Sequence, residues 1–152
     1  MTVDKPAAID VLLVEDSPGD VRLTLEAFRI INDTVRLHVA VDGVDAMAFL
    51  RRDGTYAEAP RPDIILLDLN LPRMDGREVL AQLKADPSLK VIPTVILTTS
   101  EAQADIVNSY QLQANCYLNK PMQLDAFETL VRGINDFWLS TVKLPRPAGG
   151  SA

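Results

Sequence analysis

The sequence predicts an α/β fold with one parallel sheet of five strands, and three features lead to that prediction. Short apolar runs bounded by charged or turn residues recur at regular intervals, which is typical of strands buried on both faces. Amphipathic helical patterns lie between these runs, so strands and helices alternate. The length of 152 residues and the apolar content of 47% suit a single domain with a substantial core. We place the strands at about 10–14, 34–40, 63–67, 93–97 and 115–118.

Turn and capping residues support the helix boundaries. Ser17-Pro18 opens the first helix, and Ser17 suits a helix cap better than a catalytic group. Asp42-Gly43 starts the second helix, and Asp86-Pro87 ends the third. The last helix carries a wide apolar stripe made by Leu124, Phe127, Leu130, Val131, Ile134 and Trp138. Five alternating units fit the flavodoxin-like strand order 2-1-3-4-5, with helices on both faces in a three-layer αβα arrangement.

One domain accounts for the patterned part of the chain, residues 9–139. We expect the segments 1–8 and 143–152 to be flexible tails, because the second is rich in proline and glycine and neither has a core-forming pattern. The polar segment 51–61 is expected to be an ordinary surface connection. A partner-specific loop is the alternative interpretation of that segment. There is no internal repeat.

Composition excludes several classes of function. The net charge is −6 and there is no basic run, which argues against direct binding to nucleic acid. No apolar stretch reaches the roughly 20 residues that span a bilayer, and the N-terminus lacks the apolar region of a signal peptide. The only cysteine, Cys116, cannot form an internal disulfide and is expected to be a small core residue. We therefore expect a cytoplasmic protein that does not associate with membranes.

Three carboxylates follow two of the predicted strands at the point where each strand ends. Glu15 and Asp16 follow the first strand, and Asp68 follows the third. In the order 2-1-3-4-5 these strands are neighbours, and ligands of such sheets bind beyond the carboxyl ends of the strands. Because clustered carboxylates repel one another, this group makes sense mainly as a site for a divalent cation.

Two further polar residues are predicted at the same edge of the sheet. Thr98 ends the fourth strand, and Lys120 follows the fifth. Each of these residues is ordinary by itself, since a strand-end threonine usually bonds to nearby backbone and a lysine is usually a surface charge. Their conjunction with the three carboxylates is informative because a single topology brings all of them together.

These residues resemble the receiver domain of two-component response regulators. The resemblance covers about residues 9–139, and the spacing between the motifs matches the family. Within the family, three features resemble the single-domain regulators that partner cyanobacterial-type phytochromes: Glu15-Asp16-Ser17-Pro18-Gly19-Asp20, the longer connection before the third strand, and Cys116–Pro121. The motifs that carry the family resemblance are Val14-Glu15-Asp16, Asp68–Gly76, Thr98-Thr99-Ser100 and Tyr117–Pro121.

The resemblance implies a role for each site residue. Asp68 would be the phosphoacceptor, taking a phosphoryl group from the phosphohistidine of a histidine kinase, which in this subgroup can be a phytochrome. Mg²⁺ would be bound by Glu15, Asp16, Asp68 and the backbone carbonyl of Asn70. Lys120 would pair with Asp68 before the reaction and with a phosphoryl oxygen afterwards. The bond before Pro121 is expected to be cis.

The resemblance also implies how the phosphorylated state signals. Thr98 would donate its hydroxyl to the phosphoryl group, and Tyr117 would then rotate inward. The alternative for Tyr117 is a half-buried edge residue with its hydroxyl in solvent. The affected surface would comprise the fourth helix, the fifth strand and the fifth helix, near Tyr110, Phe127 and Trp138. Trp138 is the best candidate for an exposed anchor of a homodimer, and output would pass to a downstream protein target.

Other functions remain open at this point. A magnesium-dependent phosphohydrolase with an aspartyl-phosphate intermediate would share much of the chemistry, but such enzymes commonly carry a second carboxylate where this chain has Asn70. A flavin-binding module on the same fold is disfavoured by the acidic site. A phosphate-independent adaptor is the third alternative. The only histidine, His38, lies within a predicted strand and is expected to be structural, so the chain is expected to act as a phosphoacceptor rather than as an enzyme, apart from self-dephosphorylation.

Overall fold

The computed structural model describes residues 8–145 and has the predicted architecture. The five strands form one parallel sheet in the order β2-β1-β3-β4-β5. Every predicted strand is present, and its boundaries differ from the prediction by about one residue. The strands are β1 Ile9–Val14, β2 Val35–Ala40, β3 Ile64–Leu67, β4 Thr94–Thr98 and β5 Cys116–Asn119.

Four helices connect the strands and a fifth follows β5, and the predicted caps are confirmed. The Ser17 side chain accepts a hydrogen bond from the Asp20 amide at the start of α1, and Asp42 does the same for the Asp45 amide at the start of α2. Asp86 is the C-cap of α3. The helices are α1 Pro18–Ile31, α2 Gly43–Arg51, α3 Gly76–Ala85, α4 Gln103–Gln111 and α5 Leu124–Asp136.

The sheet separates two aliphatic cores. Leu12 and Val14 of β1 face a core shared with α2 and α3, while Val11 and Leu13 face a core shared with α1 and α5. Strands β1 and β3 are almost completely buried on both faces, as their uninterrupted apolar sequences predict. This burial fixes the register of the strands, and the register determines which strand-end residues meet at the site.

The end of the last helix differs from the prediction. After Asp136 the helix widens into a π-helical turn, Phe137–Thr141, so Trp138 does not end a regular helix. Trp138 is half-buried against the α1–α5 core, and the exposed aromatic residue is its neighbour Phe137. Phe127 is also buried, because the apolar stripe of α5 turns it into the core. Most of the two expected flexible tails lies outside the described residues.

The segment 51–61 is a surface connection that contains a short 3₁₀ turn, Gly54–Tyr56. The Tyr56 hydroxyl anchors this connection to α2, since it donates a hydrogen bond to the Asp45 side chain over 2.7 Å.

His38 is a structural residue of β2, and its Nε2 lies 2.9 Å from an oxygen of the buried Asp10 side chain. Among the helices of residues 8–145, none has the length and apolar character required to cross a membrane.

Candidate functional site

The sheet register brings the three predicted carboxylates together. Val14 of β1 pairs with Leu67 of β3, so the residues that follow these two, Glu15 and Asp68, leave the sheet side by side. Asp16 is exposed, whereas Glu15 and Asp68 are buried. One ligand oxygen from each of Glu15, Asp16 and Asp68 lies within 4.8 Å of the others. This is a spacing at which three carboxylates can share one cation.

The loop after β3 fixes the backbone that carries Asp68. The Gly76 amide donates a hydrogen bond to the Leu69 carbonyl, and a Cβ atom at Gly76 would lie 2.1 Å from the Asp68 carbonyl oxygen. Only glycine therefore fits where α3 begins. On the other side of this loop, the Arg73 guanidinium binds both oxygens of the buried Asp42 side chain over 2.7 and 3.1 Å. The loop is thus held to the N-termini of both α2 and α3.

Lys120 joins the acidic group from the opposite direction. Its backbone amide continues the sheet by donating to the Thr98 carbonyl over 2.7 Å, and its ammonium reaches back over the edge of the sheet. The Nζ atom lies 3.1 Å from Asp68 Oδ2 and 2.9 Å from Asp20 Oδ2, and it also pairs with Glu15 Oε1. The contact with Asp68 is predicted from the sequence, whereas Asp20 has no predicted role.

Burial and neighbouring charge shift the pKa values at this site. Burial raises the pKa of Glu15 to about 7, and the nearby Asp68 carboxylate adds to the rise while Lys120 offsets part of it. Burial alone would lower the pKa of Lys120, but its carboxylate partners, chiefly Glu15 and Asp20, outweigh burial and raise it. Lys120 is therefore a permanent cation in a pocket with an excess of acidic groups.

The expected cis bond before Pro121 is wrong for this structure. No cis peptide bond occurs between residues 8 and 145, so Lys120 and Pro121 are joined in trans. The trans form is the lower-energy state of a bond that precedes proline. The three carboxylate contacts of the ammonium are made with this trans bond in place.

The two predicted switch residues are linked through the backbone of Ser100. The Thr98 side chain is fully buried, and its Oγ1 lies 3.5 Å from the Ser100 amide, a long contact. The Tyr117 hydroxyl donates to the Ser100 carbonyl over 3.0 Å, and the Asn119 side chain donates to the same oxygen over 2.7 Å. Tyr117 is half-buried and its hydroxyl is hydrogen-bonded to the protein rather than left to solvent.

A second network, which the sequence analysis did not predict, fastens the same loop to α3 and α4. The Ser100 hydroxyl donates to the Asp105 carboxylate over 2.6 Å, and the Arg77 guanidinium binds Asp105 over 2.7 Å. Arg77 also pairs with Asp75. The residues are separated along the chain and have no repeating spacing, so no pattern in the sequence marked them as a group.

The donor set fits a hard divalent cation. Carboxylate oxygens are the ligands that Mg²⁺ and Mn²⁺ prefer, and an exposed Asp16 leaves room for the water ligands that Mg²⁺ retains. The Asn70 amide donates to Asp68 Oδ1 over 3.2 Å, which places residue 70 beside the acidic group while its side chain is exposed. This position is compatible with a backbone carbonyl of residue 70 as a cation ligand, for which the type of side chain does not matter.

Comparison with known proteins agrees with this geometry. Residues 11–132 match the family model of the response regulator receiver domain. The chain belongs to the response regulator receiver family. Members of this family are signalling proteins that are phosphorylated on an aspartate, so the phosphohydrolase, flavin-binding and phosphate-independent interpretations are not favoured.

Several relatives are similar over almost the whole chain. Response regulator Rcp1 of Synechocystis sp. is 51% identical over 135 residues, which cover 89% of this chain and 92% of Rcp1. The solved structure of its Mn(2+)-bound form has a TM-score of 0.87 at 50% identity and covers 91% of this chain and 99% of its own. The phosphorylated cyanobacterial phytochrome response regulator RcpA has a TM-score of 0.89 at 50% identity, covering 92% and 100%. The receiver fold and the resemblance to phytochrome regulators are therefore confirmed.

Proposed function

We propose that Asp68 is the phosphoacceptor and that Lys120, Thr98 and the neighbouring carboxylates assist it. The observation that supports this most directly is the convergence of Lys120 Nζ, 3.1 Å from Asp68 Oδ2, with the carboxylate group Glu15, Asp16 and Asp68.

The chemistry requires positioning and charge neutralisation more than covalent assistance. A carboxylate oxygen of Asp68 attacks the phosphorus of a phosphohistidine, a P–O bond forms as the P–N bond breaks, and the histidine leaves with its electron pair. Lys120 then moves its hydrogen bond from the Asp68 carboxylate to a phosphoryl oxygen. Mg²⁺ held by Glu15, Asp16, Asp68 and the carbonyl of Asn70 would neutralise charge on the phosphoryl group. Self-dephosphorylation would reverse the state by attack of water on the same phosphorus.

The proposed readout passes through Thr98 and Tyr117. If the Thr98 hydroxyl turns to a phosphoryl oxygen, its contact with the Ser100 amide is lost. The carbonyl of the same residue holds Tyr117, so a displacement of Ser100 also weakens the bond that keeps the tyrosine in place. Phosphorylation would then favour a second packing of α4 and β5.

We further propose a phytochrome-type histidine kinase as the phosphodonor, on the basis of the similarity to RcpA.

We also propose a homodimer that forms through the apolar surface of α4, β5 and α5. Tyr110 and Phe137 are 50% and 54% exposed, and a groove of about 650 Å³ runs beside β5 and α5. Since Trp138 is half-buried, Phe137 replaces it as the proposed anchor. The predictions of a downstream protein target and of cytoplasmic location remain part of this proposal.

Phosphotransfer from a purified phytochrome kinase tests the assignment of Asp68. Wild type should gain one phosphoryl group by intact mass in the presence of Mg²⁺, and peptide mapping should locate it on Asp68. Asp68→Asn should gain none. The matched control is Asp33→Asn, which changes an exposed aspartate at the opposite end of the sheet and should accept phosphate like wild type.

Two results would contradict the proposal. Undiminished labelling of Asp68→Asn would exclude that residue as the acceptor, and labelling without any divalent cation would exclude the proposed role of the acidic group.

Sedimentation of Phe137→Ala and Trp138→Ala, each with and without beryllofluoride, tests the proposed homodimer. Assembly that is unchanged in both variants would count against this surface.

A further inference from the structure

The first turn of α1 contributes a fourth carboxylate to the site, and the proposed reaction gives it no role. Asp20 Oδ2 lies 2.9 Å from Lys120 Nζ. We propose that Asp20 is a positioning residue, which holds the Lys120 ammonium so that Glu15 and Asp68 can turn toward the cation and the phosphoryl group. This inference rests on the function proposed above and assigns one further residue to the same site.

The geometry matches donors to acceptors one to one. An ammonium has three N–H donors, and the three partners of Lys120 are Glu15, Asp20 and Asp68. The lysine side chain is only 5% exposed, so water cannot readily replace a lost partner. A buried ammonium that loses its partners is costly. If the cation takes oxygens of Glu15 and Asp68, Asp20 is the partner that remains.

Asp20 differs from the other two partners in ways that suit this role. The carboxylates close enough to share one cation are Glu15, Asp16 and Asp68, so Asp20 is outside the ligand group. Both backbone polar groups of Asp20 are hydrogen-bonded to side chains. Its amide donates to the Ser17 hydroxyl, and its carbonyl accepts from the Thr24 hydroxyl. The side chain is 32% exposed, so it lies at the mouth of the pocket, whereas Glu15 and Asp68 are buried.

Two simpler roles for Asp20 must be distinguished from positioning. An acidic residue in the first turn stabilises a helix through the helix dipole, and any carboxylate near the site attracts a cation through space. The dipole role concerns folding stability. The through-space role does not depend on Lys120. Positioning requires Lys120, so the effect of replacing Asp20 must disappear when the lysine is neutralised.

A double-mutant cycle on Mn²⁺ affinity makes that distinction. The proteins are wild type, Asp20→Asn, Lys120→Gln and the double variant, with free Mn²⁺ measured by electron paramagnetic resonance. Without Asp20 the ammonium stays on Glu15 and Asp68 and competes with the cation. Asp20→Asn should therefore weaken Mn²⁺ binding about tenfold in the presence of Lys120. In the Lys120→Gln background it should have no effect.

The same change in affinity in both backgrounds would overturn the proposal, as would no change in either. Asp20→Glu provides a second readout, since a longer carboxylate can still reach the ammonium and should restore most of the affinity that Asp20→Asn loses. Failure of that rescue would also count against positioning. Urea unfolding of each variant identifies any that fail to fold.

The cycle is independent of the phosphoryl assignment, because Mn²⁺ binding is measured without a phosphodonor. If wild type binds Mn²⁺ with the expected coupling but Asp68 takes no phosphoryl group, the proposed function fails and the positioning role stands. If Asp68 is labelled but the cycle is additive, the positioning role fails alone.

Discussion

Replacing Glu15 by glutamine should stabilise the protein in the absence of divalent cations. Glu15 is buried, and burial raises its pKa from the ordinary 4.5 to about 7, even with Lys120 beside it. The folded state therefore binds the Glu15 proton more tightly than the unfolded state does. Between these two pH values the unfolded chain releases a proton that the folded chain retains, so wild-type stability falls as the pH rises.

The size of the effect follows from the pKa difference. One pKa unit corresponds to about 1.36 kcal/mol, which gives a loss of about 3 kcal/mol across the interval. The favourable contribution of the protonated carboxyl is complete below pH 4.5 and lost as the pH rises through about 7. Glutamine has nearly the shape of the protonated carboxyl and does not titrate. The variant should exceed wild type by about 1 kcal/mol or less at pH 5 and by about 3 kcal/mol at pH 8.

Urea unfolding in the presence of a chelator, at pH 5, 6, 7 and 8, measures the difference. Glu58→Gln is the matched control, because it removes the same charge at an exposed site and should leave the difference near zero throughout. Excess Mg²⁺ should reduce this difference, because it stabilises wild type more than a variant that lacks one of the proposed carboxylate ligands. A stability difference for Glu15→Gln that does not change with pH would refute the reasoning, and so would a variant less stable than wild type at pH 8.

Three other changes have definite expected results. Gly76→Ala should lower the free energy of unfolding by about 2 kcal/mol, since the added Cβ would lie 2.1 Å from the Asp68 carbonyl oxygen; an undisturbed unfolding midpoint would contradict this. Tyr117→Phe removes the hydroxyl bond to Ser100 and should cost about 1 kcal/mol, with faster amide hydrogen exchange in residues 99–102. Asp10→Asn should cost about 1 kcal/mol at pH 7. Burial opposes its charge, but its basic partners on β2 lower the Asp10 pKa, so this difference should vanish as the pH falls below 3.8.

The fold could be predicted from the sequence because the strand sequences themselves show that both faces of the sheet are buried. The apolar runs around Leu12 and Ile65 leave no polar face, so only a sheet covered on both sides accommodates them. Caps at Ser17 and Asp42 are equally local, since each depends on an amide only a few residues away. The departure at Phe137–Thr141 has no such local signal, because apolar spacing does not distinguish a regular helix from its π-helical continuation.

The site was predictable in part. Asp68 and Lys120 could be placed together because each follows a strand and parallel strands end at one edge. Asp20 was missed, since a carboxylate in the first turn of a helix has an ordinary local explanation and its partner is 100 residues away. The pairing of Asp42 with Arg73 was missed for the same reason of distance along the chain. The position of a residue at the end of a strand or helix predicts where its backbone lies. Which charged groups form ion pairs also depends on the length and direction of the side chains, which the sequence pattern does not give.

The connection between α2 and β3 has a practical consequence. It enters the sheet at the amino end of β3, whereas the acidic pocket lies beyond the carboxyl end of that strand. Gly54 there has a φ of 59° and open space where a side chain would be. The positive φ still favours glycine at position 54, so a fluorophore would be better attached at the exposed neighbour Thr55, at the end of the sheet opposite the acidic pocket.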